Sequence, residues 1–580
     1  MQLTSRGAFL ALAVALAAWG GTARGAERPS YRISATVDYE LLTFRTATAV
    51  RVPAAAGDPL RDVVLFVYAN SGGIGGDDER RRNIVVDGVR LNGQAVPFSA
   101  DGPVLRARLP QAQSAPFTLE IESRGVVSRS SGAAAGAGLG ADLSGLLGGS
   151  LVSQGAKPKN PDFGLYTYGN GILSLGSFWY PQLAVRERAH WVDRVPEGLG
   201  DVAFAEMSDF DVEISAPPRV RIAATGREVA PASRAGFRRW VASGVRDFAV
   251  LMSEDFVVKS VNVELGGKSV VVESYNTPST SAKAERALDV AAQALGIFSR
   301  RFGPYPYEYF KVVEGPIRGG AGGMEFSGLT SVSSMVYQDL GSRLGQITGL
   351  GLGDLDKLLA QLRGATGLSP GGVAGAPVEA PNLLAGIIGQ PVEIFESLLE
   401  MTIAHEAAHQ WWAIRVGSDS VRAPFVDESL ANYSAILYFE DRYGRPAAER
   451  MMDLHVRTPY RTSRLLGMPD AAANLATSAY RGNLQYGAVV YGKGALFYDA
   501  LRRAVGDAAF FAALRDYSES YAGKLAGPRS LIDIVAARAP AAKVDALYRR
   551  WIEEMHGDED ISGGAPATFD ELLRKALTPD

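Results

Sequence analysis

The sequence predicts an α+β fold in which a β-sandwich-like domain is followed by a mainly helical domain. Between about residues 27 and 275, segments such as Tyr31–Val37 and Asp62–Tyr68 are rich in β-branched and aromatic residues and are separated by turn residues. From Ala282 to Arg301 the apolar residues recur at helical spacing, and residues 445–556 have a helical pattern throughout. A run of strands followed by a run of helices is typical of an α+β chain.

Composition excludes several classes of protein. The chain has 580 residues, a net charge of −4 and no concentration of basic residues, so nothing indicates nucleic-acid binding. It has no cysteine, which excludes disulfides and thiol catalysis. At 47% hydrophobic residues the chain is long and apolar enough to form packed cores without such cross-links.

The amino-terminal segment 1–25 has the pattern of a secretory signal peptide. Arg6 provides a positive start, Ala8–Trp19 an apolar core, and Ala23-Arg24-Gly25 a small-x-small cleavage site. We therefore expect an exported protein, periplasmic or secreted, with an uncleaved anchor as the alternative. Because we find no other apolar run long enough to cross a bilayer, membrane contact elsewhere is possible but not indicated.

The predicted domain organisation contains two segments of biased composition. Ser128 to Gly155 is rich in Gly, Ala and Ser, and we expect a surface insertion there, or alternatively a membrane-touching or partner-binding loop. The stretch 338–390 is rich in Gly and Leu, and we expect a helical hairpin on the surface, or alternatively a lid or docking helix. The resulting boundaries are 1–25 for the signal, 26–275 for the β domain, 276–556 for the second domain and 557–580 for a polar tail.

The segment His405-Glu406-Ala407-Ala408-His409 carries the strongest chemical signal. Histidines four apart on a helix project from one face, so both imidazoles can reach one metal ion. HExxH is the pattern of a zinc site in which the intervening glutamate acts as a base on a water whose pKa the metal lowers. With 5 histidines in the chain, a chance match is rare. The candidate third ligand is Glu428, which lies far enough beyond His409 to leave room for a helix end, a loop and a helix start.

Helix signals surround both parts of this candidate site. Pro391 can start the first helix and Gly417 can end it, whereas the second helix is expected to begin after Pro424 and stop at Gly444. Glu428 then lies in the first turn of the second helix.

An upstream segment, Gly322-Gly323-Met324-Glu325-Phe326, leads into a β-like run. Glycines before an acidic residue permit close backbone approach to an extended peptide that adds as a strand. We therefore expect Gly322, Gly323 and Met324 to line bound substrate beside Glu325.

Together with Tyr491-Gly492-Lys493-Gly494-Ala495, these motifs resemble the aminopeptidase N family of gluzincin zinc metallopeptidases. The resemblance implies a thermolysin-like catalytic domain and a short member without the long C-terminal helical domain, because the chain ends at Asp580. It implies that one Zn²⁺ per chain is bound by His405, His409 and Glu428, with Glu406 as general base. It also implies that Glu325 binds the free α-amino group of peptide substrates and that the Tyr491 hydroxyl stabilises an oxyanion. Spacing alone does not choose among Tyr491, Tyr486 and Tyr498.

Three positions depart from the family pattern. Phe326 replaces the usual Asn after the glutamate, and Ala435 replaces a usual Glu. Asp427 replaces the usual Asn before the third ligand, and we expect its carboxylate to orient a histidine ligand from behind. Asn432, one turn beyond Glu428, is a second candidate for such support.

The sequence thus favours an exported zinc-dependent aminopeptidase that cleaves the first peptide bond of its substrates. The alternatives are a zinc endopeptidase with an open cleft and a peptide-binding envelope protein with weak catalysis on the same scaffold. The remaining histidines, His190, His455 and His556, lie outside any ligand spacing and are expected at the surface or in packing contacts.

Overall fold

The computed structural model describes residues 28–53, 57–71, 82–130, 163–194, 204–338 and 391–564. The predicted signal peptide, nearly all of the two biased segments and the tail after residue 564 lie outside the described residues. Within these ranges, no helix has both the length and the apolar character needed to cross a membrane.

Most strands lie in the first part of the described chain, and the last three follow the first α-helix. In chain order they are β1 (Ser30–Asp38), β2 (Thr43–Val52), β3 (Leu60–Phe66), β4 (Ile84–Leu91), β5 (Gln94–Ala95), β6 (Phe98–Asp101), β7 (Val104–Gln113), β8 (Phe117–Val126), β9 (Thr167–Gly169), β10 (Ile172–Gly176), β11 (Gln182–Leu183), β12 (Arg186–Glu187), β13 (His190–Trp191), β14 (Ser208–Ser215), β15 (Arg221–Ala224), β16 (Arg227–Val229), β17 (Arg238–Val245), β18 (Val250–Ser253), β19 (Val257–Leu265), β20 (Lys268–Asn276), β21 (Tyr309–Gly315), β22 (Gly323–Phe326) and β23 (Leu329–Ser333).

These strands form a large sheet and several smaller ones. The large sheet has the order β16-β17-β14-β1-β2-β8-β4-β5, and two four-stranded sheets have the orders β15-β18-β10-β9 and β11-β3-β7-β6. Along β1 the buried residues alternate with more exposed ones, as expected for a sheet with one face on the core. On that face the Tyr31 ring stacks on Phe210 with centroids 4.6 Å apart, and its hydroxyl accepts a hydrogen bond from the backbone N–H of Leu183 at 2.8 Å. The predicted β-rich amino-terminal domain is therefore confirmed.

A five-stranded sheet of order β19-β20-β21-β23-β22 lies beside the metal-ligand helix. Its first two strands pair along their whole length, and β20 then pairs in parallel with β21. This sheet therefore starts at Val257, ahead of the boundary near 275 that composition suggests. Strand composition alone does not reveal to which sheet a strand belongs, because pairing is decided by distant parts of the chain.

The second part of the chain is helical, as predicted. The α-helices are α1 (Ala284–Phe302), α2 (Pro391–Ala408), α3 (Glu428–Tyr443), α4 (Arg445–Met452), α5 (Thr458–Leu465), α6 (Asn483–Tyr486), α7 (Gly494–Val505), α8 (Asp507–Ser520), α9 (Ser530–Ala536), α10 (Ala541–Tyr548) and α11 (Gly557–Ser562), with π-helical segments at Asp453–Arg457, Gly487–Lys493 and Arg549–Glu553. Short 3₁₀ turns occupy Tyr68–Asn70, Ser281–Lys283, Pro424–Val426 and Thr477–Ala479.

The boundaries of α3 agree with the sequence, and the end of α2 does not. α3 follows the 3₁₀ turn that starts at Pro424 and stops at Gly444, whose φ of 88° suits a glycine. The sequence predicts that α2 continues towards Gly417, but the helix ends at Ala408. The backbone N–H groups of Trp411 and Trp412 both donate to the carbonyl of Ala408, and both indoles are buried, so packing of the two tryptophans replaces the helical continuation.

A buried arginine joins the β domain to the helical domain. The Arg246 guanidinium, just after β17, donates hydrogen bonds to the carbonyls of Ala205, Ile414 and Lys524 at 2.8–2.9 Å. The neighbouring Asp247 accepts a hydrogen bond from the backbone N–H of Ser327 at 3.0 Å. Burial raises the pKa of Asp247 to about 7, although the Ser327 and Arg246 interactions act in the opposite direction.

We predict that Asp247→Asn stabilises the protein at and above neutral pH. The pKa of the wild-type Asp247 carboxyl rises from 3.8 in the unfolded chain to about 7 in the folded one. Between these two pH values the folded state therefore binds more protons than the unfolded state. The wild-type free energy of unfolding should therefore fall from about pH 4 to pH 7 and stay constant above, by at most ~4 kcal/mol for this group. Denaturant unfolding at several pH values measures this. The free energy of unfolding of Asp247→Asn should not show this decrease with pH, whereas Asp255→Asn, on the exposed surface, should still show it. Parallel pH profiles for wild type and Asp247→Asn would contradict the raised pKa of Asp247.

Candidate active site

Helices α2 and α3 bring three buried donor atoms together. Nε2 of His405 lies 3.0 Å from Nε2 of His409, and Oε2 of Glu428 lies 3.3 and 3.2 Å from these two nitrogens. The His405 imidazole comes from the last turn of α2 and the His409 imidazole from the residue directly after the helix, and the carboxylate comes from the first residue of α3. In the described part of the chain, these three residues are the one group of His, Cys, Asp or Glu side chains close enough to share a metal ion.

The donor set fits zinc. With metal–ligand bonds of about 2.0–2.2 Å, tetrahedral ligand atoms lie about 3.3–3.6 Å apart, close to the observed spacing. Oε2 of Glu428 is buried and makes no hydrogen bond to any described residue. Two nitrogens and one carboxylate oxygen are also a donor set typical of a zinc site that keeps a position open for water.

The electrostatics of the site favour a bound cation. Burial lowers the pKa of His405, which favours the neutral imidazole that a metal needs. Burial alone would raise the pKa of Glu428, but the two imidazoles hold it well below its usual value. Burial would lower the pKa of His409, yet Glu325, Glu428 and Glu406 together raise it well above its ordinary value. Three buried carboxylates thus surround two imidazoles, an excess of negative charge that a dication neutralises.

The groups that orient the ligands differ from those expected. Nδ1 of His409 is 2.7 Å from the carbonyl of Trp412, which the early end of α2 turns back towards the ring. Asp427 does not take this role: its carboxylate accepts hydrogen bonds from the hydroxyls of Ser418 and Ser420 and from the backbone N–H of Glu428. Asp427 therefore caps α3, because the helix begins at the next residue and its free N–H groups need an acceptor.

Asn432 supports the site from α3. Its amide donates to the carbonyl of Tyr491 at 2.7 Å, and the same side chain interacts with His405. It thus connects one ligand with the π-helical segment Gly487–Lys493 that carries the tyrosine.

Among the three candidate tyrosines, Tyr491 lies nearest the ligands. Its ring stacks on His405 with centroids 5.6 Å apart, and burial, together with the Glu428 carboxylate, raises the pKa of its hydroxyl well above the ordinary value. Tyr486 lies one layer further out, with its ring edge-on to Tyr491 at 5.7 Å. Tyr498 instead packs against Tyr433 on α3.

Strand β22 lies against the metal-ligand helix through its glycines. A Cβ at Gly323 would overlap the carboxylate of Glu406, and a Cβ at Gly322 would lie 3.2 Å from Oγ1 of Thr402, one turn earlier on α2. The sequence suggests that these glycines permit close approach of a substrate; in the structure they permit close approach of the helix. Oε2 of Glu406 also lies 3.4 Å from the hydroxyl of Thr330, a hydrogen-bond donor on β23.

Glu325 lies on the same face of β22 as Gly323 and points towards the ligand cluster. Its Oε1 lies 3.6 Å from Nδ1 of His409, and it is only 7% exposed. Strand alternation places Met324 and Phe326 on the opposite face. The Phe326 ring packs edge-on to Phe178 of the β domain at 6.3 Å, so the departure from the family asparagine affects packing between domains.

The remaining histidines lie outside the ligand cluster. Nε2 of His455 is 2.8 Å from the Ser397 hydroxyl, His556 contacts Glu554 and Glu559, and His190 is exposed on β13.

Three groups that surround the site do not emerge from the sequence. They are the Trp412 carbonyl, the Thr330 hydroxyl and the Gln410 side chain. Only the position of Gln410 directly after the motif could have drawn attention to it.

Burial also affects Glu406. Burial and the nearby Glu325 carboxylate raise the pKa of Glu406 well above its usual value, while His409 acts in the opposite direction. A raised pKa suits a carboxylate that must take up a proton near neutral pH.

Part of the chain is similar to a known protein family, and the fold is similar to that of several solved structures. Residues 392–551 match the Peptidase family M1 domain. The structure is similar to the M1 zinc metallopeptidase from Deinococcus radiodurans, with a TM-score of 0.58 and 19% identity over 91% of this chain and 94% of that one. It is also similar to a two-domain M1 zinc metallopeptidase bound to L-arginine, with a TM-score of 0.57 and 18% identity over 94% and 96% of the two chains.

A longer structure, Legionella pneumophila aminopeptidase A in complex with aspartic acid, has a TM-score of 0.55 and 15% identity over 91% of this chain and 49% of that one. No curated protein matches the sequence. The matched domain spans α2 to the segment after α10, and the zinc-fitting cluster of His405, His409 and Glu428 lies inside it.

Proposed function

We propose that the chain is a zinc metallopeptidase of peptidase family M1, and that it acts as an aminopeptidase that holds one Zn²⁺ per chain and removes the first residue of peptides. The observation that carries the proposal is Glu325. The three ligands and Glu406 suffice for zinc-dependent hydrolysis, and Glu325 adds a further buried carboxylate beside them. A protonated α-amino group would neutralise this carboxylate, and a blocked amino terminus would not.

The chain's own residues would divide the reaction among them. The edge strand β22 offers backbone groups along which an extended peptide can pair. When bound by His405, His409 and Glu428, zinc supplies a Lewis acid that makes water nucleophilic near neutral pH. Glu406 accepts the proton of the attacking water and passes it to the leaving amine. The Tyr491 hydroxyl donates a hydrogen bond where negative charge develops on the former carbonyl oxygen.

Ligands of the structural neighbours support this substrate class. Similar structures hold L-arginine, L-tryptophan or, in a Deinococcus radiodurans variant, a Tyr-Ser-Ala substrate. Each of these molecules carries a free α-amino group, as the substrates proposed here must.

Export is a second part of the proposal. It rests on the signal-like pattern of Arg6, Ala8–Trp19 and Ala23-Arg24-Gly25. The mass of the protein recovered from outside the cytoplasm should show that the segment 1–25 has been removed. Recovery of the uncleaved chain only from the cytoplasm would contradict export.

Hydrolysis of one peptide with a free or an acetylated amino terminus tests the proposed function. Wild type should cleave only the free form, and Glu406→Gln should lower kcat by roughly 10²–10⁴-fold. Glu325→Gln keeps the shape of the side chain but removes its charge, so it should abolish the preference for the free form. Cleavage of both forms by wild type would indicate an endopeptidase, and zinc binding without cleavage would indicate a peptide-binding protein.

The contact between Gly323 and Glu406 gives a further prediction. Gly323→Ala should lower kcat by about 10²-fold because the new methyl group displaces the carboxylate of the base. Zinc content, measured by elemental analysis, should stay near that of wild type, because the three atoms nearest the new methyl group all belong to Glu406 and not to a proposed ligand. Gly88→Ala, where the added atom meets open space, is the matched control. Equal activity of wild type and Gly323→Ala would contradict the close approach of β22 to α2.

A further inference from the structure

The hairpin of β22 and β23 carries Glu325. Within its own sheet, the strand β22 makes few contacts that could fix its position. β22 has only four residues and, among the strands that the structure describes, lies at the sheet edge and pairs with β23 alone. Two glycines in and before β22 contribute no side chain to packing. The position of Glu325 must therefore be fixed from outside the sheet.

The turn of this hairpin, Ser327-Gly328, is held by a buried amide. The Gln410 side chain accepts a hydrogen bond from the backbone N–H of Gly328 at 2.8 Å and donates one to the carbonyl of Phe326 at 3.0 Å. Gln410 has no exposed surface, and its amide oxygen and nitrogen both bind backbone of the hairpin. A buried amide that bonds two backbone groups is costly to replace with an apolar side chain, because both backbone groups lose their partner.

The β domain holds the other side of the same turn. The backbone N–H of Arg246 donates to the Ser327 hydroxyl at 3.0 Å, and Asp247 accepts from the Ser327 N–H at the same distance. The turn is thus clamped between the connection after β17 and the residue after the second histidine. Gln410 supplies two hydrogen bonds that join the turn of the hairpin to the residue after His409, in addition to the contacts of Gly323 and Thr330 with Glu406.

The sequence positions of these contacts relate the clamp to the site. Phe326, whose carbonyl Gln410 binds, directly follows Glu325, and Gln410 directly follows His409. The Glu325 carboxylate and the His409 ring are 3.6 Å apart. The Gln410 amide therefore holds the backbone next to both functional residues. Gln410 itself adjoins His409, and the carbonyl to which it donates belongs to the residue that adjoins Glu325.

We propose that Gln410 is a positioning residue that sets the place of the amine-binding carboxylate of Glu325 relative to the zinc ligands. This inference rests on the proposed aminopeptidase function. Gln410 does not touch substrate in this scheme; it acts through Glu325, and so it should affect recognition of the free amino terminus more than the proton transfer by Glu406.

The test uses the full-length zinc-loaded enzyme and Gln410→Met, which keeps the length of the side chain and removes both hydrogen bonds. The selectivity is the ratio of kcat/KM for a peptide with a free amino terminus to that for its acetylated form. We expect this ratio to fall roughly tenfold or more, mainly through a higher KM for the free peptide, with zinc content unchanged. In a Glu325→Gln background, Gln410→Met should not change the ratio further, because its effect passes through that carboxylate.

Asn70→Leu is the matched control. Asn70 bonds both backbone groups of Ile84 at 2.9 Å within the β domain, so its loss reports on a broken amide clamp away from the site. It should lower thermal stability without changing the ratio. If Gln410→Met does not fold, Gln410→Glu, which keeps the acceptor for Gly328 and loses the donor to Phe326, should lower the same ratio relative to wild type.

The outcomes separate this inference from the proposed function. An unchanged ratio in Gln410→Met, or an equal loss for both peptides, overturns the positioning role and leaves the aminopeptidase proposal in place. A further fall in the Glu325→Gln background also overturns it, since Gln410 would then act by another route. A wild type that cleaves both peptides equally overturns the aminopeptidase proposal and the inference with it.

Discussion

Three buried donor atoms that face one another at 3.0–3.3 Å constrain the rest of the site. Lone pairs of two imidazoles and a carboxylate repel at this spacing, and burial removes the water that could screen them. When both imidazoles are neutral, a cation held among the three atoms removes this repulsion, and the surrounding groups determine where the three atoms lie. Asp427 satisfies the start of α3 so that Glu428 stands at its first turn, and the Trp412 carbonyl fixes the ring of His409. Neither group supplies a ligand, yet each determines where a ligand points.

Much of this centre can be predicted because it follows from local rules. The four-residue interval between His405 and His409 matches the turn of a helix, so ligand geometry can be read from spacing. The boundaries of α3 likewise follow from Pro424 and Gly444, whose backbone preferences are intrinsic. The switch from strands to helices is a matter of periodicity, which the sequence also contains. In each case the information lies within a few positions of the feature.

The features that could not be predicted depend on contacts between distant segments. α2 stops at Ala408 because Trp411 and Trp412 are buried, with their indoles donating to Gly303 and Ser434. Strands β19 and β20 join the sheet of the second domain through pairing with β21. The sequence places Asp427 behind a histidine, since a carboxylate next to a ligand commonly supports one, but two serines and a helix start lie closer to it. Local sequence contains none of these distances.

The early end of α2 has a consequence for function as well as for packing. Had the helix continued, the carbonyl of Trp412 would point along the helix axis to a later N–H, and the Gln410 amide would project from the helix surface. Because the chain turns after Ala408, the short segment from His409 to Trp412 supplies a ligand, the carbonyl that orients it, and the amide that binds the hairpin of Glu325. The metal site and the proposed amine-binding carboxylate are therefore built on one hydrogen-bonded unit, and this unit contacts the β domain through Ser327 and Arg246. A two-domain chain can in this way fix a short edge strand that its own sheet holds only weakly.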